Sequence, residues 1–145
     1  MRFVARSVIR TTPERLFAFH ELPDAVDRLM PPWEHAEVLE RAPDLRPGRR
    51  AVASIRIAPG ISLRIESIHT VYDPPHRFED QQVRGPFKHW HHRHIIEPHP
   101  DGAVLIDDID YEPPFASISG WLVRRRLRRL FAYRHDATKR WCEDE

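Results

Sequence analysis

The chain has one cysteine, five glycines and no long apolar run. Each shortage excludes something. A lone Cys142 cannot close an internal disulfide, so the stapled framework of small secreted domains is ruled out and a reducing, cytoplasmic compartment is expected. A bilayer-spanning helix needs roughly 18 consecutive apolar residues, which the sequence never approaches. Met1 to Arg10 carries Arg2, Arg6 and Arg10 without an apolar core, so no secretory leader is expected either. No glycine-rich phosphate loop, Cys-x-x-Cys pair or nucleophile elbow occurs, which argues against nucleotide chemistry. An excess of one charge is also missing. With 23 Lys and Arg against 22 Asp and Glu, the net charge of +1 gives no overall field for nucleic acid.

The 145 residues, 41% of them hydrophobic, suit a single domain over 1–145 that buries roughly two-thirds of its unfolded surface. Residues 2–10 read as a strand. Thr12 caps a short helix with Pro13 at its first position, and Pro23-Asp24 opens a second that Pro31-Pro32 stops. These two short helices suggest a lid more than a core. From Trp33 to Glu112, turn signals at Pro47-Gly48, Pro59-Gly60, Asp73-Pro74-Pro75, Gly85-Pro86 and Pro100-Asp101-Gly102 divide the chain into six strands of an antiparallel meander. Then the period changes. Val123, Leu127, Leu130 and Phe131 form the stripe of a helix capped by Ser117 or Ser119, some twenty residues long and ending about Trp141. Its apolar face must pack on the sheet, which makes the fold class α+β.

The segment Phe78 to His94 carries the most chemistry. At period two, Phe78, Asp80 and Gln82 share one face of a strand, and Trp90, His92, His94 and Ile96 one face of the next. If Phe78, Trp90 and Ile96 point inward, so do four polar side chains. Each costs roughly 1 to 3 kcal/mol when unsatisfied, so they must satisfy one another, water or a ligand. On the last strand the face of Leu105, Asp107, Ile109 and Tyr111 is read as inner, which adds Asp107 to the set. His89, His91 and Arg93 fall on the opposite face and are expected in solvent.

Phe17-Ala18-Phe19-His20-Glu21-Leu22-Pro23-Asp24-Ala25, Pro31-Pro32-Trp33-Glu34, Asp73-Pro74-Pro75, and Gln82-Val83-Arg84-Gly85-Pro86-Phe87 with Trp90, His92 and His94 resemble a bacterial branch of the START-like polyketide cyclase/dehydratase (SRPBCC) superfamily. Asp107, Tyr111 and Leu130 to His135 continue the resemblance over nearly the whole chain. It implies a helix-grip fold, a curved antiparallel sheet wrapped around a long C-terminal helix, with a cavity for lipids, polyketides or other apolar small molecules. Some members catalyse cyclisation or dehydration there. Some relatives of this branch resemble a domain joined to sugar-nucleotide-type epimerases.

Two readings of the polar cluster stay open. Asp80, Gln82, His92, His94 and Asp107 either form the polar end of a pocket that orients a ligand carbonyl or hydroxyl, or a hydrogen-bond network that only fixes strand register. In an enzyme, His92 or His94 would be the acid/base and Asp80 or Asp107 would orient it. His92 and His94, as His-x-His, have spacing suited to a metal with Asp80 or Asp107 as third ligand, but those carboxylates can satisfy both imidazoles, so neither a metal nor a cofactor is expected. Phe17, Met30, Trp33, Phe115 and Trp121 are placed near the cavity mouth, and Arg134 is the one arginine expected to turn inward. Between Ser117 and Trp141 eight cations stand against one acid, Asp136. Pairing of these arginines with Asp107, Asp108, Asp110 and Glu112 is expected, and the basic helix is also a candidate surface for a membrane or an acidic protein partner. Binding of a small apolar or amphipathic ligand is the primary functional expectation, with a cyclase/dehydratase-type enzyme and a regulatory interaction module as alternatives.

Overall fold

The computed structural model describes residues 1–144. In chain order the elements are β1 (Arg2–Ile9), α1 (Pro13–His20), α2 (Ala25–Arg28), β2 (Ala36–Glu40), β3 (Arg50–Ala58), β4 (Ile61–Asp73), β5 (Arg77–Arg84), β6 (His89–His99), β7 (Gly102–Glu112) and α3 (Ala116–Glu143). The strands form one antiparallel sheet in the order β1-β7-β6-β5-β4-β3-β2. This is the expected helix-grip architecture, six meander strands following the two short helices. Register shifts at Val38/Glu40, Arg56/Ala58, Glu66/Ser67 and His69/Val71 lie in the β2 to β5 half, where such bulges bend and twist the sheet.

α3 lies along β1 on the concave side. Arg124 Nη1 donates to the Arg2 carbonyl at 3.0 Å, the Phe131 ring stands 5.6 Å from that of Phe3, and the Arg10 amide donates to Glu143 at 2.9 Å. Two apolar clusters flank the middle of this interface. Phe3, Ile109, Tyr111, Leu127 and Phe131 form one, and Ile9, Leu16, Phe17, Phe19, Phe78, Ile96, Ala103, Leu105 and Cys142 the other.

Three local expectations are corrected. Neither Ser117 nor Ser119 caps α3. The helix begins earlier, after Phe115 in the left-handed region (φ 51°), and the Ser119 hydroxyl donates instead to the Pro114 carbonyl at 2.6 Å. The helix therefore runs 28 residues. At the other end of the chain Thr12 does cap α1, accepting from the Arg15 amide at 3.1 Å. But α1 is not a lid: Leu16 and Phe19 are fully buried and Phe17 packs edge-on against Phe78 and Tyr72.

Candidate functional site

β5, β6 and β7 pair so that Asp80 faces His92, Phe78 faces His94, and His94 faces Asp107. Paired residues share a face, so this register gathers the polar side chains on the concave side under α3. Asp107 is the hub. Its Oδ1 accepts from His92 Nε2 at 2.7 Å and its Oδ2 from His135 Nε2 at 2.6 Å, while His94 Nδ1 stands 3.1 Å from Oδ1. The far nitrogen of His94 donates to Asp80 Oδ2 at 3.1 Å. The other ring nitrogen of His135, Nδ1, hydrogen-bonds the Ser7 hydroxyl 2.7 Å away. Phe78, His94 and His92 stack in sequence, with ring centroids 3.9 and 3.7 Å apart.

Burial and the neighbouring charges oppose each other at Asp107, Asp80 and His94. Burial alone would raise Asp107, but its hydrogen bonds to His135, His92 and His94 hold it well below the usual carboxylate range. Asp80 behaves likewise, lowered by His94 against its burial. For His94, burial pulls down and the two carboxylates push up to about 9, so the ring is protonated at neutral pH. His92 goes the other way, lowered by burial and by the neighbouring His94 charge despite Asp107. His20, whose Nδ1 donates to the Leu16 carbonyl at 3.0 Å, is pushed down to about 4 by burial and then by His94.

A cavity of about 20 Å³ adjoins the cluster, lined by His20, Leu29, His94, Leu105, Asp107, Phe131, Arg134, His135 and Thr138. That is room for a single water. Arg134 does turn inward, donating to the Leu29 carbonyl at 3.3 Å. Beyond the cluster the concave face opens. The register puts Ala51, Ala53, Ile55, Leu63, Ile65 and Ser67 of β3 and β4 on the same face as His69 and Asp80, and none of the six is fully buried.

Sequence reasoning and structure differ at several positions. Gln82 is on the concave face but outside the network: its amide closes the β5–β6 turn, donating to the Phe87 carbonyl at 2.6 Å and accepting from the Phe87 amide at 3.3 Å. Tyr111 is buried against Phe87 and Trp90 rather than joined to the cluster, and its hydroxyl has no partner among the described residues. Phe17 belongs to the apolar core. Met30 is half-buried, and Trp33 is 42% exposed, edge-on to Tyr133 with Arg129 over its ring. His89 is exposed as expected, but His91 and Arg93 are not simply solvated. His91 Nε2 donates to the buried Glu79 at 2.7 Å, Arg77 pairs with the same carboxylate, and Arg93 reaches Asp110 at 2.6 Å. Nor, among the described residues, do the α3 arginines form ion pairs with the β7 acids: Asp108 pairs with Arg2, Asp110 with Arg93, Asp107 is enclosed by imidazoles, and Glu112 has no ion-pair partner.

His135, His20 and Ser7 were missed, although the sequence marks each. His135 continues the Leu127 and Phe131 stripe at i+8 and i+4, His20 lies four residues beyond Leu16, and Ser7 alternates with Phe3 and Ala5. A polar residue on an apolar stripe was the available signal. Asp80, His92 and His94 each offer a ligand atom within 4.8 Å of one another, a donor set for a cation such as zinc.

The chain belongs to the polyketide cyclase / dehydrase and lipid transport family, which it matches over residues 9–133. Among solved structures it is similar to a protein of Chromobacterium violaceum (TM-score 0.76, 18% identity, 99% of each chain). It is also similar to Ara h 8.0201 (TM-score 0.73, 12% identity, covering 100% of this chain and 99% of that one). A nucleoside-diphosphate sugar epimerase of Corynebacterium glutamicum shares the fold over 94% of this chain but only 28% of its own (TM-score 0.68, 21% identity). No curated protein matches the chain. At these identities the structural likeness concerns the fold alone.

Proposed function

We propose that the protein binds an amphipathic small molecule of lipid-, polyketide- or aromatic-like character between the sheet and α3, with the oxygenated end toward the His–Asp cluster. The observation that carries this reading is the incompletely covered apolar half of the concave face, where Ala51, Ala53, Ile55, Leu63 and Ile65 are each only half-buried, adjoining a buried polar cluster. A structural sheet face would be covered by its own helix. The membership of a family described by lipid transport supports the same reading. His94, held by Asp80, and Arg134 would meet the polar end at the position of the small cavity, and the apolar body would lie over β3 and β4.

A second reading, acid/base catalysis of the cyclase or dehydratase kind, is favoured by one observation. His94, held protonated at about 9, and His20, held neutral at about 4, border the same cavity with ring centroids 6.2 Å apart. Neighbouring groups pushed apart in this way suit an acid and a base.

The test compares a long-chain alcohol or ketone with a hydrocarbon of equal length by native mass spectrometry and competition for a fluorescent apolar probe. A lost hydrogen bond to a charged group costs about 1.5 to 3 kcal/mol, so His94→Phe or Asp80→Leu should weaken the oxygenated ligand roughly tenfold or more and leave the hydrocarbon nearly unchanged. Ala53→Trp should weaken both. Equal losses for both ligands in the cluster variants, or no binding by the wild type, would reduce the cluster to a structural network.

A further inference from the structure

The solvent side of the first turns of α3 is apolar. Phe115, Ile118, Trp121 and Leu122 are 78, 75, 68 and 56% exposed, while the buried stripe of the same helix runs through Gly120, Leu127, Phe131, His135, Thr138 and Cys142 on the other side. At about 100° per residue, Ile118, Leu122, Arg125 and Arg129 follow one outer line, with Trp121 and Arg128 beside it. Single exposed apolar residues need no explanation, but four large neighbours do.

The same stretch carries unneutralised positive charge. From Ala116 to Ala132 there are five arginines and no acid. Arg126 is paired with Glu34, but Arg125 and Arg128 have no ion-pair partner among the described residues, and Asp108, Asp110 and Asp107 are committed to Arg2, Arg93 and the histidines. The helix N-terminus adds to this field. It has no side-chain cap and no acidic residue in its first turn, so the positive end of the helix dipole stands uncompensated beside Phe115 and Ile118.

We propose that this end of α3 docks on an anionic lipid bilayer, Phe115, Ile118, Trp121 and Leu122 entering the acyl boundary while Arg125, Arg128 and the helix N-terminus meet lipid phosphates. A bilayer fits better than an acidic protein. Each of the four apolar side chains is more than half exposed and cations follow them on the same side of the helix, a pattern that a fluid anionic surface accepts without the shape complementarity a protein interface needs. The inference goes beyond ligand binding, since it concerns the outer side of α3 and not the cavity side.

The test is flotation of the full chain with vesicles of phosphatidylcholine and phosphatidylglycerol, set against vesicles of phosphatidylcholine alone. The protein should float with the mixed vesicles, leave them as salt rises, and bind the neutral ones at least about tenfold more weakly. Arg125→Ala and Arg128→Ala should each weaken partition about fivefold. Trp121→Ser with Ile118→Ser should weaken it roughly tenfold or more, with unchanged circular dichroism because these side chains are exposed. Ala53→Trp, which blocks the concave face, should leave vesicle binding intact and so separates this inference from the ligand-binding one. Three results would overturn it: no flotation with anionic vesicles, equal salt-independent binding to both kinds, or a dimer in sedimentation that Trp121→Ser dissociates, which would assign the patch to a second copy.

Discussion

Asp107 ties three histidines from two elements to one buried carboxylate, and the charge balance around it makes stability depend on pH in two opposite senses. His94, at about 9 when folded against an ordinary value near 6.5, binds its proton more tightly in the folded chain. Its contribution is therefore complete below about pH 6.5 and is lost as pH rises through about 9. His20, at about 4, is protonated more readily when unfolded, so its contribution is present above about pH 6.5 and is lost as pH falls toward 4. Urea unfolding should accordingly show a stability maximum near neutrality with a limb on each side. His94→Gln should flatten the alkaline limb and spare the acidic one. An unchanged alkaline limb in that variant would mean that His94 is neutral in the native protein. Asp107→Asn should cost about 3 kcal/mol or more at pH 7, because it leaves a protonated imidazole buried without its main counter-charge.

At the scale of elements, the turn before β7 holds the site in register. Gly102 lies at φ 142°, and a Cβ there would stand 2.3 Å from the Ile9 carbonyl oxygen, so strand end and turn are packed backbone against backbone. Gly60, in the β3–β4 turn at φ 75°, has open space around it. Gly60→Ala should cost about 1 kcal/mol for its backbone conformation alone, whereas Gly102→Ala adds a steric clash and should cost at least about twice that. Differential scanning calorimetry distinguishes them, and equal shifts would show that the β1 end yields freely. Turn chemistry of this kind made the strands legible in the sequence, and period two found the inner faces of β5 and β6, where Phe78 and Ile96 fix the direction. The start of α3 was not legible, since Ser117 and Ser119 advertise a cap that Phe115 and the prolines before it displace. The convex-face pairing was hidden for a related reason: Glu79, His91 and Arg93 look like solvated polar residues along one strand, and only the register shows that they meet across strands.

At the scale of the whole molecule, the sequence order of elements was enough to specify the architecture, but not how tightly α3 closes over the cluster. That depends on how side chains interdigitate, and Phe131, His135 and Thr138 reduce the space beside Asp107 to a single water's volume. A chain truncated after Glu112 should expose Phe3, Ile109 and Tyr111, bind an apolar dye and lose its cooperative thermal transition; a sharp transition in that fragment would show that the sheet is stable without α3. The pairing of β1 with β7 has a further consequence, for biosynthesis. Among the described residues β1 has a single sheet neighbour, β7, which is made after all the other strands, Phe3 lying opposite Ile109 and Ser7 opposite Leu105. Until β7 emerges the nascent chain carries an unmated edge, a natural substrate for a holding chaperone, and the histidine cluster comes together only once α3 has followed with His135.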